Sequence, residues 1–156
     1  MKKVLIIGAG GFVGKYLIKE FKKDNYEIIA CDINKNNLEK EDVKYYDIDI
    51  LNKEVVEKII EECKPDYLIN LAAISSVGLS WNIPDKTIEV NVVGTLNILE
   101  AIKKYNEKCK VLLIGSSEEY ESKDTPLKET DITNANNPYG ISKVAQENFA
   151  RLYKEK

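Results

Sequence analysis

Histidine is absent from this chain of 156 residues. General base chemistry by imidazole is therefore excluded. The three cysteines, Cys31, Cys63 and Cys109, are scattered, so the ligand sets of a structural zinc site are missing and no metal is expected. An odd number of dispersed thiols gives no disulfide framework. Free thiols, two of them on or beside core strands, suit a reducing cytosol, and a cytoplasmic location is the expectation. Arginine is all but missing: Arg151 stands alone, where diphosphate recognition favours guanidinium forks. No apolar run approaches the ~20 residues of a membrane span, and the N-terminus enters regular structure too soon for a signal peptide. The net charge of −3 arises from interspersed lysines and acids. With no basic patch, no nucleic-acid partner is expected, and with no charge block, no disordered tail.

What is present is 44% hydrophobic, enough for one globular domain over residues 1–156. Val4 to Ile7 is an unbroken apolar run and reads as a strand buried on both faces of a parallel sheet. Gly8, Gly11 and Gly14 follow at a spacing of three, then an amphipathic helix from Phe12 to Phe21 with Val13, Leu17, Ile18 and Phe21 on one stripe. Gly8 permits a sharp turn. Gly11 lets a pyrophosphate approach the backbone, and Gly14 lets the helix pack close to the sheet. The helix N-terminus then faces the phosphates. The spacing is G-x-x-G-x-x-G rather than G-x-G-x-x-G, and an ordinary β–α connection carries such turns too. The next strand, Tyr26 to Cys31, separates the two readings because it ends in Asp32, whose carboxylate can accept hydrogen bonds from ribose hydroxyls.

Further on, Asn34 to Asp42 reads as a loop and Val43 to Tyr46 as a strand. Asn52 caps a helix over Lys53–Cys63, with Val55, Val56, Ile59 and Ile60 facing inward. Asp66 to Leu71 is a fourth strand, and Ile74 to Pro84 a loop. A long helix runs from Asp85 to Asn106 with Ile88, Val92, Leu96, Leu99 and Ile102 as its apolar stripe. Lys110 to Gly115 is a fifth strand, Ser116 to Pro138 is irregular, and Tyr139 to Tyr153 is the last helix. Alternating strands and helices predict an α/β fold: a doubly wound parallel sheet of the Rossmann type. Ligands sit outside the carboxyl ends of such strands. The glycine turn, Asp32, Asp49, Leu71 to Ser76 and Gly115 to Glu119 all end there.

Two segments carry chemistry to that crevice. Tyr139 and Lys143 lie at i and i+4 on one helix face. A nearby ammonium stabilises the phenolate, so Tyr139 can act as acid/base with Lys143 as its electrostatic partner. Ser116, at the end of the fifth strand, can hydrogen-bond the same substrate oxygen. A surface helix also carries Tyr and Lys at this spacing by chance; the dinucleotide fold and the serine favour the catalytic reading.

Together these segments resemble the extended short-chain dehydrogenase/reductase family of nucleotide-sugar epimerases, dehydratases and reductases, from Val4 to about Leu152. The resemblance implies that Gly8, Gly11, Phe12, Val13 and Gly14 form the glycine motif and Asp32 the ribose-binding acid. It implies that Asp49 and Ile50 contact adenine, that Leu71, Ala72 and Ala73 line the cofactor, and that Asn91 is the buried asparagine of the central helix. Ser116, Tyr139 and Lys143 match the catalytic triad. The segments at 70–73, 76–81, 91–96 and 137–143 are most similar to the GDP-mannose branch of the family, and Gly115-Ser116-Ser117-Glu118-Glu119-Tyr120 to its GDP-4-keto-6-deoxy-D-mannose reductases, to which GDP-mannose 4,6-dehydratase is a close relative. Glu118 sits where dehydratases place their acid/base, and it also reads as a plain loop acid.

The expected activity is reduction of the 4-keto group of a GDP-6-deoxyhexose. A dehydratase, an epimerase and a non-catalytic dinucleotide-binding fragment or split subunit are the alternatives. Family members carry about as many residues again, which supply the sugar site. The expectation is therefore a cofactor-binding half, inactive alone. Asp32 would repel a 2′-phosphate, which favours NAD; Lys35 nearby keeps NADP open. By resemblance, the helices at 85–106 and 139–153 pair two copies into a homodimer.

Overall fold

The computed structural model describes residues 1–34 and 42–155, with nothing drawn from the side chain of residue 155. Lys35 and most of the expected 34–42 loop lie outside the described residues.

Five strands form one wholly parallel sheet in the order β3-β2-β1-β4-β5. They are β1 (Lys3–Ile7), β2 (Glu27–Asp32), β3 (Lys44–Asp47), β4 (Tyr67–Asn70) and β5 (Lys110–Leu113). β1 alternates between two cores. Leu5 and Ile7 face a cluster with Ile29, Leu68, Val56, Ile60, Ile98 and Ile102. Val4 and Ile6 face a second with Ala9, Ile18, Ile28 and Ile69. This period of two, buried on both sides, is why the strand reads as a continuous apolar run. The helices α1 (Phe12–Phe21) and α2 (Lys53–Cys63) match their expected bounds. Asn52 caps α2 by accepting from the Val55 N–H at 3.2 Å. The thiols of Cys31 and Cys63 are buried and that of Cys109 is half-buried, all three free.

Several expectations are corrected. Val13 does not join the α1 stripe: it is 51% exposed, while Gly14 and Ile18 are buried. Close packing of Gly14 on the Ala9 backbone rotates the helix so that Val13 clears the sheet. The 74–84 segment contains a short helix, α3 (Val77–Asn82), capped by Ser76. The long helix is interrupted. It consists of α4 (Pro84–Ile88), a π-helical turn (Glu89–Val93) and α5 (Gly94–Tyr105). The wider turn shifts the phase, so Ile88 is exposed and Thr87 and Asn91 are buried in its place. The 116–138 segment holds a 3₁₀ turn (Ser117–Glu119) and an antiparallel bridge between Tyr120 and Thr133. The last helix, α6, spans Pro138–Glu155.

Candidate active site

Gly8 leaves β1 with φ 79, a left-handed conformation that disfavours a side chain. A Cβ there would also sit 2.8 Å from the Ala72 nitrogen. The turn is pinned from β2: Gly8 N–H and Ala9 N–H both donate to the Cys31 carbonyl, at 2.8 and 3.0 Å. Asp32 completes the latch, its Oδ2 accepting from Gly10 N–H at 2.9 Å and its Oδ1 from Asn34 N–H at 3.0 Å. The expected ribose acid thus first holds the turn beside which a ribose would lie. A Cβ on Gly11 would meet nothing within 4 Å but the Gly8 carbonyl, and no side chain caps α1. The first amides of α1 are therefore left to an outside acceptor. A bare cradle, an uncapped helix start and an acid one strand away fit a dinucleotide diphosphate.

Across β1, Leu71, Ala72 and Ala73 continue β4 at the same sheet edge. Leu71 N–H donates to Ile7 O at 2.8 Å and Ala72 N–H to Asn70 Oδ1 at 3.1 Å. Asp49 is exposed, its Oδ1 accepting from Leu51 N–H at 2.9 Å. The side chain of Ile50, next in the chain, is 5% exposed and belongs to the core, where it packs α5 down: a Cβ on Gly94 would lie 2.5 Å from its Cδ1.

Asn91 is buried, at 0% exposed, as the resemblance implies for the asparagine of the central helix. Its Oδ1 accepts from Ile74 N–H at 2.8 Å, and its Nδ2 donates to Ile74 O at 3.0 Å and to Ser142 Oγ at 2.9 Å. Ser142 Oγ in turn donates to Tyr139 O at 2.6 Å. Asn91 thus binds the post-β4 loop and α6 together, and its place is within the scaffold.

Tyr139 N–H donates to Ser80 Oγ at 3.2 Å, which ties it to α3. Lys143 is 5% exposed, and its Nζ lies 5.9 Å from the Tyr139 ring centre. That Nζ donates to Ile114 O at 2.9 Å and to Gln146 Oε1 at 3.3 Å. Burial pushes the Lys143 ammonium below its ordinary range, against a smaller upward pull from Glu119. Ser116 Oγ accepts from Glu118 N–H at 3.2 Å. The Glu118 carboxylate accepts from Asn137 Nδ2 at 2.8 Å, and Asn137 Oδ1 accepts from Gly140 N–H at 2.8 Å. β5 and α6 therefore bring Ser116, Glu118, Tyr139 and Lys143 to one end of the sheet, beside the glycine turn's neighbour β4.

The supporting residues Ser80, Asn137, Ser142, Gln146 and Glu119 were not marked by motif. Asn137 alone carries a readable signal, an Asn before Pro at a helix start. The others are polar groups whose burial is compensated only in the folded chain.

Comparison with known proteins decides the family. The family model described as GDP-mannose 4,6 dehydratase matches residues 5–156. The chain belongs to the extended short-chain dehydrogenase/reductase family. A UDP-glucose 4-epimerase of Bacillus subtilis is 31% identical to this member over 95% of the chain, which spans 47% of that protein. A dTDP-D-glucose 4,6-dehydratase of Dictyostelium discoideum is 34% identical over 98% of the chain and 40% of its own length. The crystal structure of UDP-glucose 4-epimerase from Brucella ovis in complex with NAD superposes with a TM-score of 0.90 at 26% identity. That match covers 98% of this chain and 48% of the other. The chain thus spans about half the length of the relatives it matches. Among the described residues, no helix is long and apolar enough to cross a membrane, and no cluster of potential metal ligands occurs.

Proposed function

We propose that this chain is the NAD-binding half of a nucleotide-sugar enzyme that works by oxidation and reduction at C4 of the hexose. The observation that carries the reading is the glycine turn latched by Asp32, with an uncapped α1 pointing out of it. The NAD in the Brucella epimerase supports the cofactor. Gly11 would let the diphosphate approach, on a turn shaped by Gly8 and a helix seated by Gly14, with Phe12 and Val13 offering backbone amides. Asp32 would take the ribose hydroxyls, Asp49 the adenine, and Leu71 to Ala73 the adjoining face. Bound NAD supplies the redox capacity, and the residues of this chain handle the proton. Tyr139 would exchange it with the C4 oxygen, Lys143 would favour the phenolate, and Ser116 would hydrogen-bond the same oxygen.

For the sugar, the Gly115–Tyr120 segment supports a GDP-linked 4-keto-6-deoxyhexose reductase. The family model's GDP-mannose description favours the same base. The UDP-glucose 4-epimerase relative favours epimerisation as the second reading, and Glu118 a dehydratase. All three share the redox step at C4. NADP would meet the Asp32 carboxylate, so NAD is the cofactor assigned.

Calorimetric titration with NAD and with NADP tests the cofactor reading: NAD should bind more tightly, and binding of neither would end it. Assays of the intact protein with NADH and GDP-4-keto-6-deoxymannose, with GDP-mannose and with UDP-glucose then separate reductase, dehydratase and epimerase. A protein that binds NAD but turns over none of them would be a dinucleotide-binding module. Pairing of two copies through the 85–106 and 139–153 helices is part of the proposal, supported by the exposed Ile88, Val93 and Ile141.

A further inference from the structure

One buried acid has no place in the chemistry described so far. Glu119, on the 3₁₀ turn after Ser116, is 2% exposed. Its Oε1 accepts from the backbone N–H of Ser116 at 2.6 Å. A Cβ on Gly115 would lie 3.0 Å from that same oxygen. On the other side, the Glu119 carboxyl faces the carboxyl of Glu147, on α6. Glu147 also pairs with Arg151. Lys143, one helical turn before Glu147, is the remaining charged group facing Glu119. The turn and α6 are in backbone contact here, because a Cβ on Gly140 would collide with the Glu118 carbonyl.

Two carboxylates that touch repel unless one proton lies between them. Resting on the functional reading above, we infer that Glu119 is a positioning residue. Its carboxyl shares a proton with Glu147 and so fixes the Ser116 loop against the helix that carries Tyr139 and Lys143. The electrostatics agree with the geometry. Burial, then Glu147, pushes the Glu119 carboxyl above the ordinary carboxylate range, while the hydrogen bond from Glu119, then Arg151, pulls Glu147 below it. As pH rises through the raised value, the proton leaves and two adjacent carboxylates remain, with Lys143 and Arg151 as the cations to either side. The Ser116 amide then reports a changed acceptor.

The test is the backbone amide of Ser116, followed by nitrogen-15 NMR against pH in the wild-type chain and in Glu119→Gln, Glu119→Leu and Glu147→Gln. The wild type should show a step above the usual carboxylate range. E119Q accepts from Ser116 and donates to Glu147 at every pH, so it should lose the step yet keep the Ser116 amide protected from exchange. E119L should lose the protection, by about tenfold or more if a hydrogen bond's worth of ordering goes. E147Q, which replaces the shared proton with an amide donor, should move the step down by about one pH unit or more. A wild-type Ser116 amide indifferent to pH would overturn the inference. So would an E119Q amide that titrates like wild type, or E119Q protection as low as that of E119L. Should E119L fail to fold, E119Q and E147Q still decide the matter. Failure of the wild type to bind NAD would remove the cofactor reading alone, because the Ser116 titration needs no ligand.

Discussion

Asp32, at the end of β2, holds Gly10 across the top of the sheet, its Oδ2 accepting the Gly10 N–H at 2.9 Å. The acid therefore has two tasks: it fixes the turn and presents charge where a ribose would lie. Asp32→Ala removes acceptors for two backbone amides, of Gly10 and Asn34, and should cost about 1–3 kcal/mol of stability. Asp32→Asn keeps one acceptor and loses the charge. It should fold near wild type yet bind NAD more weakly, with the preference over NADP narrowed. Urea denaturation and calorimetric titration of both variants check this. Unchanged NAD affinity in both would show that the acid serves the turn alone.

The three motif glycines should not tolerate substitution equally. Gly8→Ala meets both a left-handed φ and the Ala72 backbone, and Gly14→Ala collides with the Ala9 backbone. Each should destabilise by more than about 1 kcal/mol. Gly11→Ala meets only the Gly8 carbonyl at 3.2 Å, so it should fold well and lose NAD affinity. Gly78→Ala is the control. A Cβ there meets nothing within 4 Å, inside the short α3, and should stabilise by about 0.4–1 kcal/mol. Denaturation midpoints rank the four; a Gly11→Ala variant that binds NAD like wild type would refute the diphosphate cradle.

These contrasts mark what was legible in the chain. Val4 to Ile7 betrays a doubly buried strand because both its faces meet apolar side chains, so no polar residue interrupts it. Gly8 and Asp32 stand out because backbone geometry and charge constrain residue type locally. The π-helical turn at Glu89–Val93 was invisible to a search for period 3.6. It displaces Ile88 outward and buries Asn91, whose amide is paid for by Ile74 and Ser142. The Ile50 side chain packs into the core because Gly94 opposite it has no side chain, a complementarity between residues 44 positions apart. Ser80 and Glu119 bond locally to Val77 and Ser116, and each gains a further partner from α6, far away in sequence.

Tyr139→Phe isolates the proposed proton step. The Tyr139 backbone is held by Ser80 and Ser142 through main-chain atoms, so deleting the hydroxyl should leave fold and NADH affinity within about twofold of wild type. Turnover by the intact protein should drop by about 10²–10⁴-fold, the usual weight of a general acid or base. Equal loss of binding and turnover would assign Tyr139 to the binding surface instead.

The dimer proposal makes a separate demand. Ile88, Val93 and Ile141 are 37%, 44% and 51% exposed, an apolar surface that a partner copy would cover. Size-exclusion chromatography with light scattering should find a dimer, and Val93→Lys with Ile141→Lys should shift it to monomer without lowering the monomer's own helicity. A wild-type monomer at all concentrations would reject pairing through these helices.

The core thiol of Cys31 sets an alkaline limit on stability. It is wholly buried, and burial, more than the neighbouring Cys63 and Asp32, pushes its pKa well above the ordinary thiol value of 9.0. The half-buried Cys109 is pushed up to about 12, by burial first. In the unfolded chain these thiols release protons near pH 9, while in the folded chain they retain them. The folded state therefore binds more protons, and its stability is whole below pH 9 and declines as pH rises above it. The slope approaches about 1.4 kcal/mol per pH unit for one fully shifted group. Cys31→Ala should be somewhat less stable than wild type at pH 7 because it leaves a small cavity. Above pH 9 its stability should fall less steeply, so the two curves of urea midpoint against pH converge. Parallel curves through pH 11 would show that Cys31 ionises freely in the folded protein, and with it that the sheet beneath the glycine turn admits solvent.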